Sequence, residues 1–341
     1  MAGCGKNGGF ALVVVILVML LASFLASNLI MNVRAELKIT EKYRQRAVGR
    51  LLAEGGISLA LFRLKENNPN LEYDELLDGS RFLKGYPYET VLPNGKIKYY
   101  AVAESGKINL NSRSNKVDLL REFLQYHGLE PDEVNIVIDS LQDWRDNDDL
   151  YRLDGAELDY YQELDRPYIP RNGNLEDPGE FFLIRGTESL RGLFDPYEVF
   201  TTNNRTVHQI NINTLTPEIL DFLTSGQKEL QEEYYEQLKL GDGRITKATL
   251  QGIIGESHAT LQTYFKDVSP TTTGLFSITA YGYEGDYSVT PETTEEQEWS
   301  DEFAEGEEIT PYRPGAKVRV VVEITNKGKG IRYLSWKEQH V

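Results

Sequence analysis

Residues 10–31 read FALVVVILVMLLASFLASNLIM, an unbroken apolar run. A transmembrane helix needs about 20 apolar residues, so this run is long enough to cross a bilayer. An ordinary secretory signal has a hydrophobic core of only about 7–15 residues, with its cleavage site after the core. Here residues 1–9 form a short, glycine-rich leader whose one charge is Lys6. We therefore expect the cut before the apolar run, between Gly9 and Phe10.

This layout resembles the signal of type IV pilins and type II secretion pseudopilins. In those families a membrane peptidase cuts after the glycine, and the apolar helix remains as anchor and assembly surface. The resemblance implies that prepilin peptidase cleaves between Gly9 and Phe10 and that Phe10 is then methylated.

The fifth residue after the expected cut is Val14, where most pilins carry glutamate. A carboxylate within the bilayer costs about 2.5–3.5 kcal/mol on insertion scales, so it persists there only for a function. In pilins that glutamate is thought to meet the N-terminal amine of the preceding subunit, and a subunit at the tip has no predecessor. The missing glutamate makes this chain similar to the minor pseudopilin K family of type II secretion systems.

Composition limits the class of protein. The chain has 341 residues and a formal net charge of −17, which argues against nucleic-acid partners because phosphate binding needs clustered Lys and Arg. About 300 residues outside the leader and anchor are enough for one large or two modest domains. The one cysteine, Cys4, lies in the expected leader, so the mature chain would contain no disulfide.

The charges that flank the apolar run conflict with the expected orientation. Six basic residues lie between positions 34 and 50, against Lys6 alone on the other side. Counting these charges would favour the opposite topology. Because prepilins insert with the N-terminus inside, the resemblance implies a single-pass protein of the bacterial inner membrane with its globular part in the periplasm.

The remaining pattern predicts an α+β fold. Apolar positions keep helical spacing after the membrane span, so we expect one long helix over residues 10–66, ended by Pro69. An acidic, poorly hydrophobic connection between Glu284 and Gly315 is predicted to be mobile or to wrap a partner. Helical segments dominate up to about residue 266. Strand patterns occur at 97–105, 274–283, 317–325 and 331–336.

This order resembles the minor pseudopilin K family over nearly the whole chain. The implied fold is a pilin-like long N-terminal helix packed on an antiparallel sheet, with a large all-α domain inserted between strands. The expected division is a leader at 1–9, the transmembrane part of the helix at 10–33, a pilin-like domain at 34–105 and 267–341, and the inserted domain at 106–266.

Two similar segments, INLN at 108–111 and ININ at 210–213, precede predicted helices. Asparagine followed by Ser or Thr is typical of helix N-caps, so one interpretation is capping at two junctions. The family resemblance implies a second interpretation, in which such segments are the places where the chain enters and re-enters the inserted domain. Further caps are predicted at Asp177 and Thr216, each followed by a first-turn proline.

The densest chemical cluster is DWRDNDDLYRLDGAELDYYQELD at 143–165. Closely spaced carboxylates suit Ca²⁺, and the absence of Cys and His in this stretch disfavours zinc or copper. Asp146 and Asp148 start like an EF-hand loop, but a glycine at the sixth place and a glutamate at the twelfth are judged to be missing, so an EF-hand is not expected. The alternative is a solvated acidic loop. The resemblance implies calcium bound in the inserted domain, and the predicted ligands are Asp146, Asp148, Asp154, Glu157 and Asp159.

No enzyme is expected, because the four histidines are scattered and neither an HExxH nor a GxSxG motif occurs. The resemblance implies a minor pseudopilin that caps the tip of the periplasmic pseudopilus, with minor pseudopilins I and J as partners. One alternative is a tip minor pilin of a type IV pilus. Another is a single-pass membrane-anchored periplasmic binding protein or enzyme, which would keep its leader.

Overall fold

The computed structural model describes residues 8–66, 82–112, 117–203, 209–241, 244–255, 263–268, 274–285, 315–325 and 330–339. Three sequence predictions fall outside this part of the chain. They concern leader residues 1–7, the helix stop at Pro69 and most of the acidic connection, 286–314.

The helices are α1 (Gly8–Glu66), α2 (Asp118–Tyr126), α3 (Pro131–Arg145), α4 (Leu158–Gln162), α5 (Pro196–Val199), α6 (Pro217–Leu223), α7 (Lys228–Leu240) and α8 (Lys247–Ile254). The strands are β1 (Tyr88–Leu92), β2 (Gly95–Ala103), β3 (Ile108–Asn109), β4 (Phe200–Thr201), β5 (Ile210–Asn211), β6 (Phe265–Lys266), β7 (Gly274–Glu284), β8 (Ala316–Thr325) and β9 (Gly330–Gln339). One antiparallel sheet has the order β1-β2-β7-β8-β9, while β3 pairs with β4 and β5 with β6 in short parallel pairs.

The second half of α1 packs on one face of the antiparallel sheet. Successive strand residues face opposite sides, so every second residue of β2, β7 and β8 meets the helix. This gives a compact apolar core that holds α1 and the sheet together. The buried residues of this core include Ala53, Ile57, Ala60, Leu64, Tyr99, Ile278, Val318 and Val320.

Three glycines let α1 approach the sheet closely. A Cβ atom on Gly282 of β7 would lie 1.8 Å from the carbonyl oxygen of Gly49 in the helix. A Cβ atom on Gly49 would lie 2.8 Å from the Cα atom of Gly315. Only glycine permits backbones to meet at these distances, so the three positions fix where the helix lies on the sheet.

The inserted segment between β2 and β7 covers the opposite face of the sheet. It has its own core, rich in fully buried aromatic residues such as Phe123, Phe200, Phe222 and Tyr234. Because β2 and β7 are hydrogen-bonded neighbours, the insertion leaves and re-enters the sheet at adjacent strands. The sheet therefore lies between α1 and the insertion.

Buried charges join the insertion to the sheet. Nη2 of Arg319 in β8 lies 3.2 Å from Asp195 and also contacts Glu198, and Lys317 lies 2.6 Å from Asp195. The side chains of Arg319 and Glu198 are only 6% and 3% exposed. Burial alone would raise the pKa of Asp195, but the charges of Arg319 and Lys317 outweigh it and lower the pKa from 3.8 to about 2. The network therefore stays ionised at neutral pH.

The INLN-like segments begin two equivalent modules of the insertion. β3 and β5 each pair in parallel with a strand further along the chain, β4 and β6. The Oδ1 atoms of Asn109 and Asn211 each accept the backbone N–H of the residue two places on, at 2.9 and 3.2 Å. The similarity between the two sequence segments therefore reflects a repeated local structure.

Asn111 and Asn213 are buried and hold returning segments of chain. Their Oδ1 atoms accept the backbone N–H groups of Leu175 and Ile245, each at 2.8 Å. Other residues occupy the N-cap positions of α2 and α6. The interpretation of these asparagines as helix caps is therefore wrong, because their side chains bind backbone distant in sequence.

The predicted fold class is confirmed: a long helix lies on an antiparallel sheet that a helical segment interrupts. The predicted caps Asp177 and Thr216 accept backbone N–H groups at 2.8 and 3.2 Å. However, the segment after Asp177, Pro178–Leu183, is a 3₁₀ rather than an α-helix. The boundaries proposed between the domains stay predictions.

We expect Arg319→Met to lower the free energy of unfolding by about 3–5 kcal/mol. The change removes one partner of a buried pair and leaves Glu198 without its main counter-charge. Denaturant unfolding of the full chain in detergent measures the loss.

The matched control is Arg332→Met. Arg332 is 64% exposed and pairs with Glu323 at 2.7 Å on the same sheet. Exposed pairs contribute about 0–1 kcal/mol, so this variant should unfold almost like the wild type. An equal loss of unfolding free energy in the two variants would contradict the claim that the buried ion pairs hold the insertion on the sheet.

Candidate metal centre

The acidic stretch begins at the end of α3. Pro131 and a capping box between Glu130 and Glu133 start this helix. At the other end, the backbone N–H of Asp146 still donates to Gln142 at 3.0 Å. The C-terminal end of a helix is the negative end of its dipole, so a cation is favoured where Asp146 lies.

Three carboxylates meet just beyond this helix end. One oxygen each of Asp146, Asp148 and Glu157 lies within 4.8 Å of the others. Asp148 is exposed, Asp146 is half-buried and Glu157 is buried. Because Asp148 and Glu157 lie near opposite ends of the connection between α3 and α4, this connection closes on itself.

Glu157 is the member that most needs a partner. It is 2% exposed, and among the described residues neither of its carboxylate oxygens has a hydrogen-bond donor. Burial and the charges of Asp143, Asp146, Asp149 and Asp148 raise its pKa from 4.5 to about 7. A buried carboxylate without a partner is costly, and a cation among these oxygens would remove that cost.

The three residues have the spacing of EF-hand ligands. Counted from Asp146, they are positions 1, 3 and 12, and α3 and α4 directly flank the twelve-residue loop. EF-hand loops use these positions, with a backbone carbonyl at position 7 and often a water-mediated ligand at position 9. The prediction that no glutamate occupies position 12 is therefore wrong, because Glu157 stands there. The loop still departs at position 6, Tyr151, and at position 5, where Leu150 offers no side-chain oxygen.

Of the predicted ligands, Asp154 and Asp159 lie outside the group of three. Asp154 is at position 9 of the loop and is half-buried, and its backbone N–H donates to a carboxylate of α3 at 3.2 Å. Asp159 is exposed in α4, and its Oδ1 accepts the next residue's backbone N–H at 2.9 Å. The structure therefore brings together three of the five predicted residues.

Arg152 and Asp143 lie beside the group. Asp143 of α3 is fully buried and accepts the backbone N–H of Arg152 at 3.3 Å. Nη1 of Arg152 donates both to Oδ1 of Asp143 and to Oδ2 of Asp146. Position 155 must be glycine for this contact to form, because a Cβ atom on Gly155 would lie 1.8 Å from Oδ2 of Asp143.

Sequence reasoning missed Arg152 and counted Asp143 only among the acidic residues of the stretch. A basic residue within an acidic stretch is a signal for an internal ion pair. The sequence does not show which carboxylates such a residue joins, because that depends on how the loop closes.

The arrangement fits a hard divalent cation. All donors in the group are carboxylates, each able to bind through one or two oxygens, and Ca²⁺ takes six to eight oxygen ligands. Zinc prefers nitrogen and sulfur ligands. The buried, unpartnered oxygens of Glu157 agree with a cation at this position, and calcium binding stays a prediction.

The predicted processing residues lie at the other end of the chain. The backbone of Gly9 and Phe10 is in the first turn of α1, and Val14 follows one turn later. In the described part of the chain, α1 alone is long and apolar enough to cross a membrane. Its most apolar stretch has a mean hydropathy of 2.7 and no buried residue. Nothing in the described part of the chain covers this half of the helix.

Comparison with known proteins supports this organisation. A family model described as type II secretion system (T2SS), protein K matches residues 101–191, which include the three carboxylates. Type II secretion system protein K of Aeromonas hydrophila is 27% identical over 241 residues, covering 64% of this chain and 70% of that protein. Both matches are to protein K of type II secretion systems. The predicted resemblance to this family is confirmed.

A solved structure is also similar to this chain. It is a chain in the crystal structure of the GspK-GspI-GspJ complex from the enterotoxigenic Escherichia coli Type 2 Secretion System. The two chains share 17% sequence identity with a TM-score of 0.47, and the match covers 91% of this chain and 100% of the other.

We expect calcium to raise the melting temperature of this protein and Glu157→Gln to weaken calcium binding by about tenfold or more, because the change removes an EF-hand-type ligand. In a chelator the same variant should melt slightly higher than the wild type, since it replaces a buried, unpartnered carboxylate with a neutral amide. Calorimetric titration and thermal melting of the full chain in detergent measure both effects.

Glu163→Gln is the matched control, since Glu163 is an exposed glutamate of the same acidic stretch outside the group of three. It should bind calcium like the wild type. Unchanged calcium affinity in Glu157→Gln would rule out the proposed ligand set.

Proposed function

We propose that this protein is a minor pseudopilin of a type II secretion system and that it caps the tip of the periplasmic pseudopilus in complex with minor pseudopilins I and J. The observation that carries the proposal is the form of α1. This helix of 59 residues has a first half that is apolar and exposed, and a second half that is built into the globular part. Such a helix anchors a subunit and offers its free half to other helices.

The free half of α1 suits assembly at the first position of a filament. Transmembrane helices associate through close packing, and α1 presents an apolar surface of Leu, Val and Ile for this purpose. Val14 occupies the position at which most pilins carry glutamate. A first subunit has no preceding amine for such a carboxylate, so the apolar residue avoids an unpaired charge in the bilayer.

The insertion supplies the capping part of the proposal. It covers the sheet face opposite α1 and is joined to β8 by buried ion pairs of Arg319 and Lys317. The globular part therefore moves with α1 as one unit and is broader than a helix and sheet alone. In our proposal this breadth blocks the addition of another subunit above it.

Processing and location complete the proposal. Prepilin peptidase would cut between Gly9 and Phe10, with methylation of Phe10, while α1 lies in the inner membrane and the globular part in the periplasm. The role is mechanical and uses no catalytic site. Calcium held by Asp146, Asp148 and Glu157 would stabilise the loop between α3 and α4.

A gold-labelled tag at the C-terminus of this protein should mark one end of each pseudopilus in electron micrographs. Capping also predicts longer filaments in cells that lack the protein, because nothing then blocks addition at the tip. The same tag on the major pseudopilin, as a control, should mark the whole length. Labels of this protein distributed along the filaments would contradict capping.

A further inference from the structure

The middle of the loop between Asp148 and Glu157 is not held in place by apolar packing, although Ala156 at its end is buried in the core. Leu150 and Leu153 are 75% and 95% exposed, and Tyr151 is 50% exposed. Burial of apolar surface is the main force that orders chain, so a loop with these residues in water depends on its polar contacts.

Arg152 makes the polar contacts at the middle of this loop. Its Nη1 atom donates to both Asp143 and Asp146, and its backbone N–H donates to Asp143. Asp143 is fully buried in α3, so it is a fixed anchor. The side chain of Arg152 thus ties the loop to the end of the helix that carries Asp146.

The contact with Arg152 leaves one Asp146 oxygen free. Arg152 takes Oδ2 of Asp146, while Oδ1 is buried and has no partner among the described residues. We propose that Arg152 is a positioning residue of the metal centre, which holds Asp146 so that Oδ1 is available to a cation. The inference rests on the proposed calcium site.

Arg152 is also at position 7 of the twelve-residue loop. In EF-hand loops the residue at position 7 contributes its backbone carbonyl to calcium. Since the guanidinium is fastened to Asp143 and Asp146, the backbone of Arg152 is held near the same end of α3. The one side chain therefore positions a carboxylate ligand and the backbone of the loop together.

The positive charge of Arg152 raises the opposite possibility, that it repels or replaces the cation. The separate use of the two Asp146 oxygens argues against replacement, because a cation can bind Oδ1 while Arg152 keeps Oδ2. Loss of an outer partner that orients a metal ligand typically weakens metal binding by about 10–100-fold. Positioning therefore predicts weaker calcium binding without Arg152, whereas competition predicts tighter binding.

The test is calorimetric titration of the full chain in detergent with calcium. Arg152→Gln removes the charge and the reach of the side chain. Arg152→Lys keeps the charge, but it replaces the planar guanidinium with an ammonium on a shorter side chain, which draws the donor away from the two carboxylates. We expect the calcium dissociation constant to rise about tenfold or more in both variants.

Arg171→Gln is the matched control. Arg171 is 35% exposed, against 36% for Arg152, and pairs with Glu176 and Glu180 outside the metal group. It removes the same charge from the same acidic region, so its calcium affinity should equal that of the wild type.

Melting curves with calcium and with a chelator separate positioning from a purely structural role. A structural role lowers both melting temperatures equally, whereas positioning makes the loss larger in calcium. Arg152→Lys with wild-type affinity, or Arg152→Gln with equal or tighter binding, would overturn the inference while leaving the calcium site intact. A wild-type chain that binds no calcium would overturn the calcium site as well.

Discussion

The close contact between α1 and the sheet is the constraint on which the rest of this structure depends. Gly49, Gly282 and Gly315 allow backbone to meet backbone, and any side chain there would push the helix away. At about 1.5 Å per residue the helix is roughly 90 Å long, so burial of its second half fixes the direction of the first. The fold thus holds an apolar rod out from a globular body, and lipid or other helices must cover it.

The opposite face of the sheet is joined to the insertion by charge rather than by an apolar contact alone. Two basic and two acidic side chains form ion pairs across this boundary, although each charge would be costly to bury by itself. They are Arg319, Lys317, Asp195 and Glu198. Such a network specifies one arrangement, because a shifted insertion would leave charges unpaired.

Sequence pattern was sufficient for elements with a long, regular signal. The long helix, the four main strands and the caps Asp177 and Thr216 follow from periodicity and local chemistry. Two-residue strands such as β3 and β5 carry too little pattern to be predicted. Asn111 and Asn213 were misinterpreted because the side-chain chemistry that caps a helix also binds distant backbone.

The candidate metal centre could also be predicted only in part from the sequence. The sequence indicated the acidic stretch and three of the residues that meet, Asp146, Asp148 and Glu157. It did not indicate that Asp154 and Asp159 lie apart, or that Arg152 fastens the loop, because these features follow from how the loop closes on α3. The EF-hand spacing was excluded wrongly, because Glu157 is the twelfth residue counted from Asp146.

The central claim, that this protein enters a pseudopilus through the pilin pathway, is tested most directly by its mature N-terminus. The measurement is mass spectrometry of the chain produced in cells with its native prepilin peptidase. The account predicts a first residue of Phe10 carrying a methyl group on its amine. An intact leader, or a cut beyond Ala26, would contradict it.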